Sequence, residues 1–195
     1  MNKYGVFLAR MQPLHNAHLW IIEQMLTECD NVAIILGSEN KREMLRNPFD
    51  IELRKTMLEE SLKNRKDIER IEVYTLPDWS METDNSYEWG RYLYYNIVSR
   101  IETKKFTIYY SDSPDIIYSW FEDYLLSEDR ITVKLYERSK IFKGLSATKI
   151  RQAFEMDNIE YIKKYCPDAV VKRFNLLKNI WFKVKENPKE DFSMT

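Results

Sequence analysis

The sequence predicts an α/β protein: a doubly wound, Rossmann-like, mostly parallel five-stranded sheet with helices on both faces and a helical C-terminal appendage. Three observations predict it. Short β-rich apolar runs alternate with amphipathic stretches five times along the 195 residues. The intervening stretches are long enough to cross over a sheet, which makes the paired strands parallel. Polar residues with chemical capability follow the apolar runs, at the carboxyl ends where such sheets bind ligands.

The elements follow in order. Tyr4 to Ala9 is the first strand, and Asn16 to Asp30 a helix with Leu19, Ile22, Met25 and Leu26 at helical spacing. Val32-Ala33-Ile34-Ile35-Leu36 forms the second strand, stopped by Gly37-Ser38. Residues 39–49 are polar and basic and predict a loop. Asp50 caps a helix running to about Asn64, with Leu53, Met57, Leu58 and Leu62 on its apolar face. The third strand spans Ile68 to Leu76, and a polar connection begins at Pro77. Tyr87 to Ile101 is helical and interrupted only by Gly90. Phe106 to Tyr110 is the fourth strand, and Ser111-Asp112-Ser113-Pro114 a turn opening a helix over 116–126. Ile131 to Tyr136 is the fifth strand. Ser146 caps a helix to Met156, and the chain stays helical to about Lys185. This divides the chain into an α/β domain over 1–156, helices packed on it over 157–186, and a disordered tail over 187–195.

Composition narrows the function. Hydrophobic residues make up 44% of the chain, enough for a core, and acids and bases nearly cancel to a net charge of −1. A general nucleic-acid binder would carry a basic surplus, so no nucleic-acid partner is expected. The start lacks the apolar stretch of a signal peptide, and no run could span a bilayer, so a cytoplasmic protein without membrane contact is expected. Cys29 and Cys166 have no metal-ligand spacing and fit reduced thiols better than a disulfide, and no protein metal site is expected. With four glycines there is no G-x-G-x-x-G fingerprint and no Walker A loop. Any phosphate site must use other chemistry.

That chemistry has an obvious location. Both histidines lie three positions apart in Arg10-Met11-Gln12-Pro13-Leu14-His15-Asn16-Ala17-His18, where a strand hands over to a helix. Backbone N–H groups at a helix start attract phosphate, and residues three apart face the same side. Two imidazoles and the Arg10 guanidinium add donors for charge developing on a reacting phosphate. Singly, each histidine reads as a surface or capping residue; as a pair at this junction with Arg10 they read as a site. A second group, Ser146-Ala147-Thr148-Lys149-Ile150-Arg151, sets two hydroxyls and a guanidinium around another helix start. Alone it would be an ordinary N-cap with a solvated base.

Together these motifs resemble the nucleotidylyltransferases with an H-x-G-H motif, and within them the archaeal-type nicotinamide-mononucleotide adenylyltransferases. The resemblance rests on Ala9 to His18, Gly37-Ser38, Arg46-Asn47-Pro48-Phe49, Pro77-Asp78 with Asn85 and Trp89, and Ser146 to Arg151. Ala9 and Ala17 stand where the family has glycine. The resemblance implies an enzyme of NAD biosynthesis that condenses ATP with nicotinamide mononucleotide by direct in-line transfer, releasing NAD and pyrophosphate. It implies Mg²⁺ bound with ATP, and a homo-oligomer. His15, His18 and Arg10 would be catalytic. Arg10, His15, His18, Ser146, Thr148, Arg151 and Arg138 would bind ATP. Arg46, Asp78, Asn85 and Trp89 would bind the mononucleotide. Trp89 could equally be core, and Arg46 part of a solvated cluster with Lys41 and Arg42. Two other functions fit the same motifs. One is adenylyl or cytidylyl transfer to another phosphorylated acceptor such as phosphopantetheine; the other is a non-catalytic nucleotide-binding sensor. Tyr92, Tyr94, Tyr95, Tyr109, Tyr110 and Tyr118 suit core packing or a subunit interface.

Overall fold

The structure is a computed structural model, and it describes residues 3–81, 84–111, 114–127, 129–137 and 142–191. In order the elements are β1 (Tyr4–Ala9), α1 (Asn16–Glu28), β2 (Asn31–Leu36), α2 (Ile51–Leu62), β3 (Ile71–Thr75), α3 (Tyr87–Ile101), β4 (Phe106–Tyr110), α4 (Pro114–Trp120) and β5 (Ile131–Leu135). Four helices follow: α5 (Ala147–Glu155), α6 (Ile159–Tyr165), α7 (Asp168–Val171) and α8 (Phe174–Glu186). The strands form one sheet in the order β3-β2-β1-β4-β5, and every pair is parallel. The chain steps outward from β1 to β3, then returns to the other side of β1 as β4. The carboxyl ends of β1 and β4 thus flank the point where strand order reverses, the usual place for a crevice.

Alternation along the strands divides the core in two. Phe7, Val32, Ile34, Leu36 and Tyr109 face α1, α2 and the C-terminal helices. Val6, Ala33, Ile35, Phe106 and Ile108 face α3 and α4. Central strands buried on both faces are what runs such as Val32 to Leu36 require. The C-terminal helices extend the first of these cores: Ile162, Ala169, Val170, Leu177 and Trp181 pack in one cluster with Ile22, Met57 and Leu58. Arg173 adds a two-pronged ion pair from the start of α8 to Glu60 of α2, at 2.7 and 2.6 Å. Beyond α8, Lys189 N–H donates to the Glu43 carbonyl at 2.9 Å, and Lys41 pairs with Asp191. Among the described residues, no helix is long and apolar enough to cross a membrane.

The structure corrects three element boundaries. Residues 68–70 form a 3₁₀ turn rather than the start of β3. The turn aims Arg70 at the end of α1, where it donates to the carbonyls of Leu26, one the helix end leaves open, and of Asp30 just beyond it, at 2.8 and 2.9 Å. The helix expected over 116–126 stops at Trp120. Phe121 and Leu125 are still buried, so the apolar spacing is used, but by turns that close on Glu122. The stretch expected to be helical up to Lys185 is split, with Pro167 standing at the N-cap of α7, where its missing N–H costs nothing.

Candidate active site

The loop after β1 builds the centre of the site. His15 is the N-cap of α1 in extended conformation, and His18 sits in the first turn. The two rings stack with centroids 3.8 Å apart and planes 16° from parallel. The His15 backbone N–H donates to His18 Nδ1 at 3.2 Å. Because Nδ1 accepts, the remaining nitrogen, Nε2, carries the proton and can donate. Both imidazoles therefore work from one spot at a helix N-terminus.

Two buried guanidiniums hold the loop from either side. Arg54, on α2, donates from Nη1 to the carbonyls of Arg10 at 2.7 Å and Gly37 at 2.8 Å, and from Nη2 to Ser38 at 2.9 Å. Burial lowers its pKa to about 10, so it stays cationic at neutral pH. Arg151, on α5, donates from Nη1 to the Gln12 carbonyl at 2.7 Å. Its pKa is likewise lowered to about 10, first by burial and then by the neighbouring charge of Arg46. Between these anchors Met11 is buried with φ at +51°, and Ser38 at the end of β2 has φ at +53°. A left-handed backbone is costly for a side chain larger than glycine and persists where surrounding contacts fix it. Gln12 ties the loop to the start of α2 by a reciprocal pair with the Phe49 backbone, both bonds 2.9 Å.

The late segment faces this loop. Ser146 caps α5, accepting from Lys149 N–H at 3.3 Å, and Thr148 accepts from Arg151 Nη2 at 3.4 Å. Arg151 also lies over the Trp181 ring of α8, 5.1 Å from its centroid. Trp181 is in turn held by Glu155 at 2.9 Å.

At the other end, Asn40 and Asp78 exchange side chain-to-backbone hydrogen bonds of 2.9 Å in both directions. Burial raises the Asp78 pKa, while a hydrogen bond from Ser38 and the charges of Lys41 and Arg10 pull it down. The Trp120 indole N–H donates to Asn85 Oδ1 at 3.0 Å. Trp89 packs against Tyr92 and, edge-on, against Trp120.

One cleft of about 770 Å³ joins these parts. Arg10, His15, His18, Arg46, Asp78, Asn85, Trp89, Ser146, Thr148 and Arg151 all line it. Arg138, expected to touch ATP, lies outside the described residues. Trp89 has both of its alternatives at once: on α3 it is buried in the core, and it also lines the cleft. Arg46 is exposed on its loop yet reaches the cleft. The arrangement can hold an extended polyanion, with cations and hydroxyls at its middle and an aromatic wall at each end. One wall is Trp89 with Trp120; the other is Trp20, edge-on to Tyr136 and Phe142.

The cytidylyltransferase-like family profile matches residues 6–190. The chain belongs to the cytidylyltransferase-like family. A nicotinamide-nucleotide adenylyltransferase of Caldivirga maquilingensis is 26% identical over 182 residues, 90% of this chain and 89% of the relative. One from Pyrobaculum arsenaticum is 31% identical over 112 residues, 56% of this chain and 57% of the relative. Among solved structures, a bifunctional NMN adenylyltransferase/ADP ribose pyrophosphatase from Francisella tularensis, complexed with AMP and an Mn ion, superposes with a TM-score of 0.66. It is 24% identical, and the match covers 95% of this chain but 52% of that protein.

In this cytidylyltransferase-like chain, sequence reasoning missed several residues that line the cleft or support its walls. Arg54 had a legible signal: it stands three and four positions before Met57 and Leu58, so a charge falls on the buried stripe of α2. Trp20, Trp120, Tyr136 and Phe142 gave none, because an aromatic next to an apolar run is indistinguishable from core. Trp181 could not be linked to Arg151 from 30 positions away.

Proposed function

We propose that the protein is a nicotinamide-nucleotide adenylyltransferase, joining ATP to nicotinamide mononucleotide to give NAD and pyrophosphate. The observation that carries the reading is the stacked His15–His18 pair opening onto the same cleft as Ser146, Thr148 and Arg151. The names of the curated relatives from Caldivirga and Pyrobaculum support it.

In the reaction, a phosphate oxygen of the mononucleotide attacks the α-phosphorus of ATP. The bond to the bridging oxygen breaks, and pyrophosphate leaves with the electron pair. Both reactants are anions, so repulsion and misalignment are the main barriers. His18 Nε2–H, His15 and Arg10 stabilise the charge that builds on the α-phosphate oxygens. Arg151, Ser146 and Thr148 hold the β- and γ-phosphates, and Arg46 the phosphate of the mononucleotide. Trp89 offers its indole π-face to the cationic pyridinium, with Asp78 and Asn85 beside it. No side chain need form a covalent intermediate; fixing both phosphates in line supplies much of the rate. Mg²⁺ bound to ATP would supply neutralisation of phosphate charge.

Pyrophosphate release, measured with magnesium ATP and a panel of phosphorylated acceptors, tests the reading. Turnover with nicotinamide mononucleotide, yielding NAD, is expected. Turnover with phosphopantetheine alone, or binding without turnover for every acceptor, would overturn it.

A further inference from the structure

We propose that Arg54 is a positioning residue for this reaction: it touches no reacting atom but sets the geometry of the Arg10–His18 loop. The proposal rests on the adenylyl-transfer reading for its kinetic consequences, and on the structure alone for its geometry.

Arg54 is completely buried. A buried cation is costly unless its donors are satisfied. Here it meets main-chain carbonyls of Arg10, Gly37 and Ser38, from two different strand ends. Those carbonyls follow β1 and β2, which end side by side with Ala9 paired to Leu36. One planar guanidinium thus cross-links the two loops just past the last backbone bond between these strand ends, Gly37 N–H to the Ala9 carbonyl at 3.2 Å. Each loop carries a site residue next to a left-handed position, Arg10 before Met11 and Ser38 itself. Neutral apolar packing could fill the space but could not hold three carbonyls. Lysine could not either, because an ammonium lacks the fixed planar fork that meets these acceptors together. Arg151 on Gln12 closes the loop from the opposite side. Without Arg54 the three carbonyl contacts that tie Arg10 to Gly37 and Ser38 are lost, and the strained Met11 could relax. Arg10 and the imidazoles would then drift from the in-line geometry, an error that costs rate far more than affinity.

The test uses Arg54→Ala and Arg54→Lys. Arg54→Ala leaves a guanidinium-shaped hole, so millimolar guanidinium ion should refill it. Expected for both variants is a fall in kcat of about 10²-fold with KM for both substrates within about threefold of wild type. Guanidinium should recover kcat in Arg54→Ala by about tenfold, and should do nothing for wild type or Arg54→Lys. Because the chain holds two histidines, its imidazole NMR resonances report the site without turnover. They should move in Arg54→Ala and return toward wild-type positions with guanidinium. Wild-type kcat in either folded variant would overturn the proposal. So would unchanged imidazole resonances, or loss of the cooperative fold in both variants, which would make Arg54 a folding residue only. If the wild-type protein itself does not turn over, the adenylyl-transfer reading fails, and the resonances still decide the role of Arg54.

Discussion

Replacing Gly90 with alanine sets two effects of opposite sign against each other. By helix propensity, alanine within α3 should stabilise the protein by about 1 kcal/mol. By packing it should not. A Cβ at this position would lie 1.5 Å from the Trp120 carbonyl oxygen and 2.4 Å from its carbonyl carbon, whereas ordinary contact begins at 3.4 Å. The obstacle is backbone, not a side chain that can swing away, so α4 must retreat by about 2 Å. Overpacking of this kind costs about 3 kcal/mol, the upper end of the usual range. The balance is a loss of about 2 kcal/mol, or a fall in Tm of about 4–8 °C for a chain of this size. Retreat of α4 would also carry Trp120 away from Asn85 and Trp89, so KM for the mononucleotide should rise while that for ATP holds. Thermal unfolding by far-UV circular dichroism, with steady-state kinetics on the same preparation, measures both. A Tm equal to or above wild type would refute the packing argument and leave propensity in charge.

Three further outcomes are expected. His18→Ala should lower kcat by about 10²–10³-fold, the usual loss for one transition-state donor, with little change in mononucleotide affinity; near-full kcat in steady-state assays would remove His18 from catalysis. Trp89→Phe keeps most of the buried volume but weakens the π-face, so KM for nicotinamide mononucleotide should rise about two- to fivefold and KM for ATP should not; equal effects would assign Trp89 to packing alone. The raised pKa of Asp78, caused first by burial, means that the folded state holds its proton more tightly than the unfolded chain. Stability is therefore lost as pH climbs from the unfolded Asp value of about 3.9 through the folded one, and the loss is complete above that. Asp78→Asn should accordingly raise Tm at pH 7 and cease to do so in acid below the ordinary Asp range, as read by melting curves across pH.

Much of the fold was legible because its signals are local. Val32 to Leu36 is short, β-rich and stopped by Gly37-Ser38, which marks a strand, and Asp50 and Ser146 cap their helices as their residue types dictate. The histidine pair was legible for the same reason: both partners lie within one turn. What escaped were interactions in which one partner carries no chemical label. A main-chain carbonyl looks alike at every position, so nothing in the sequence ties Arg54 to Arg10 or Arg151 to Gln12. The early end of α4 escaped too. Its apolar spacing continues past Trp120, and spacing alone does not separate a helix from a run of turns.

The support of Arg151 makes the mouth of the crevice depend on α8. One wall is encoded near the amino terminus, while the indole beneath Arg151 is supplied by Trp181. Undocking of α8 would leave the strands and imidazoles in place but take the support from the cation opposite them.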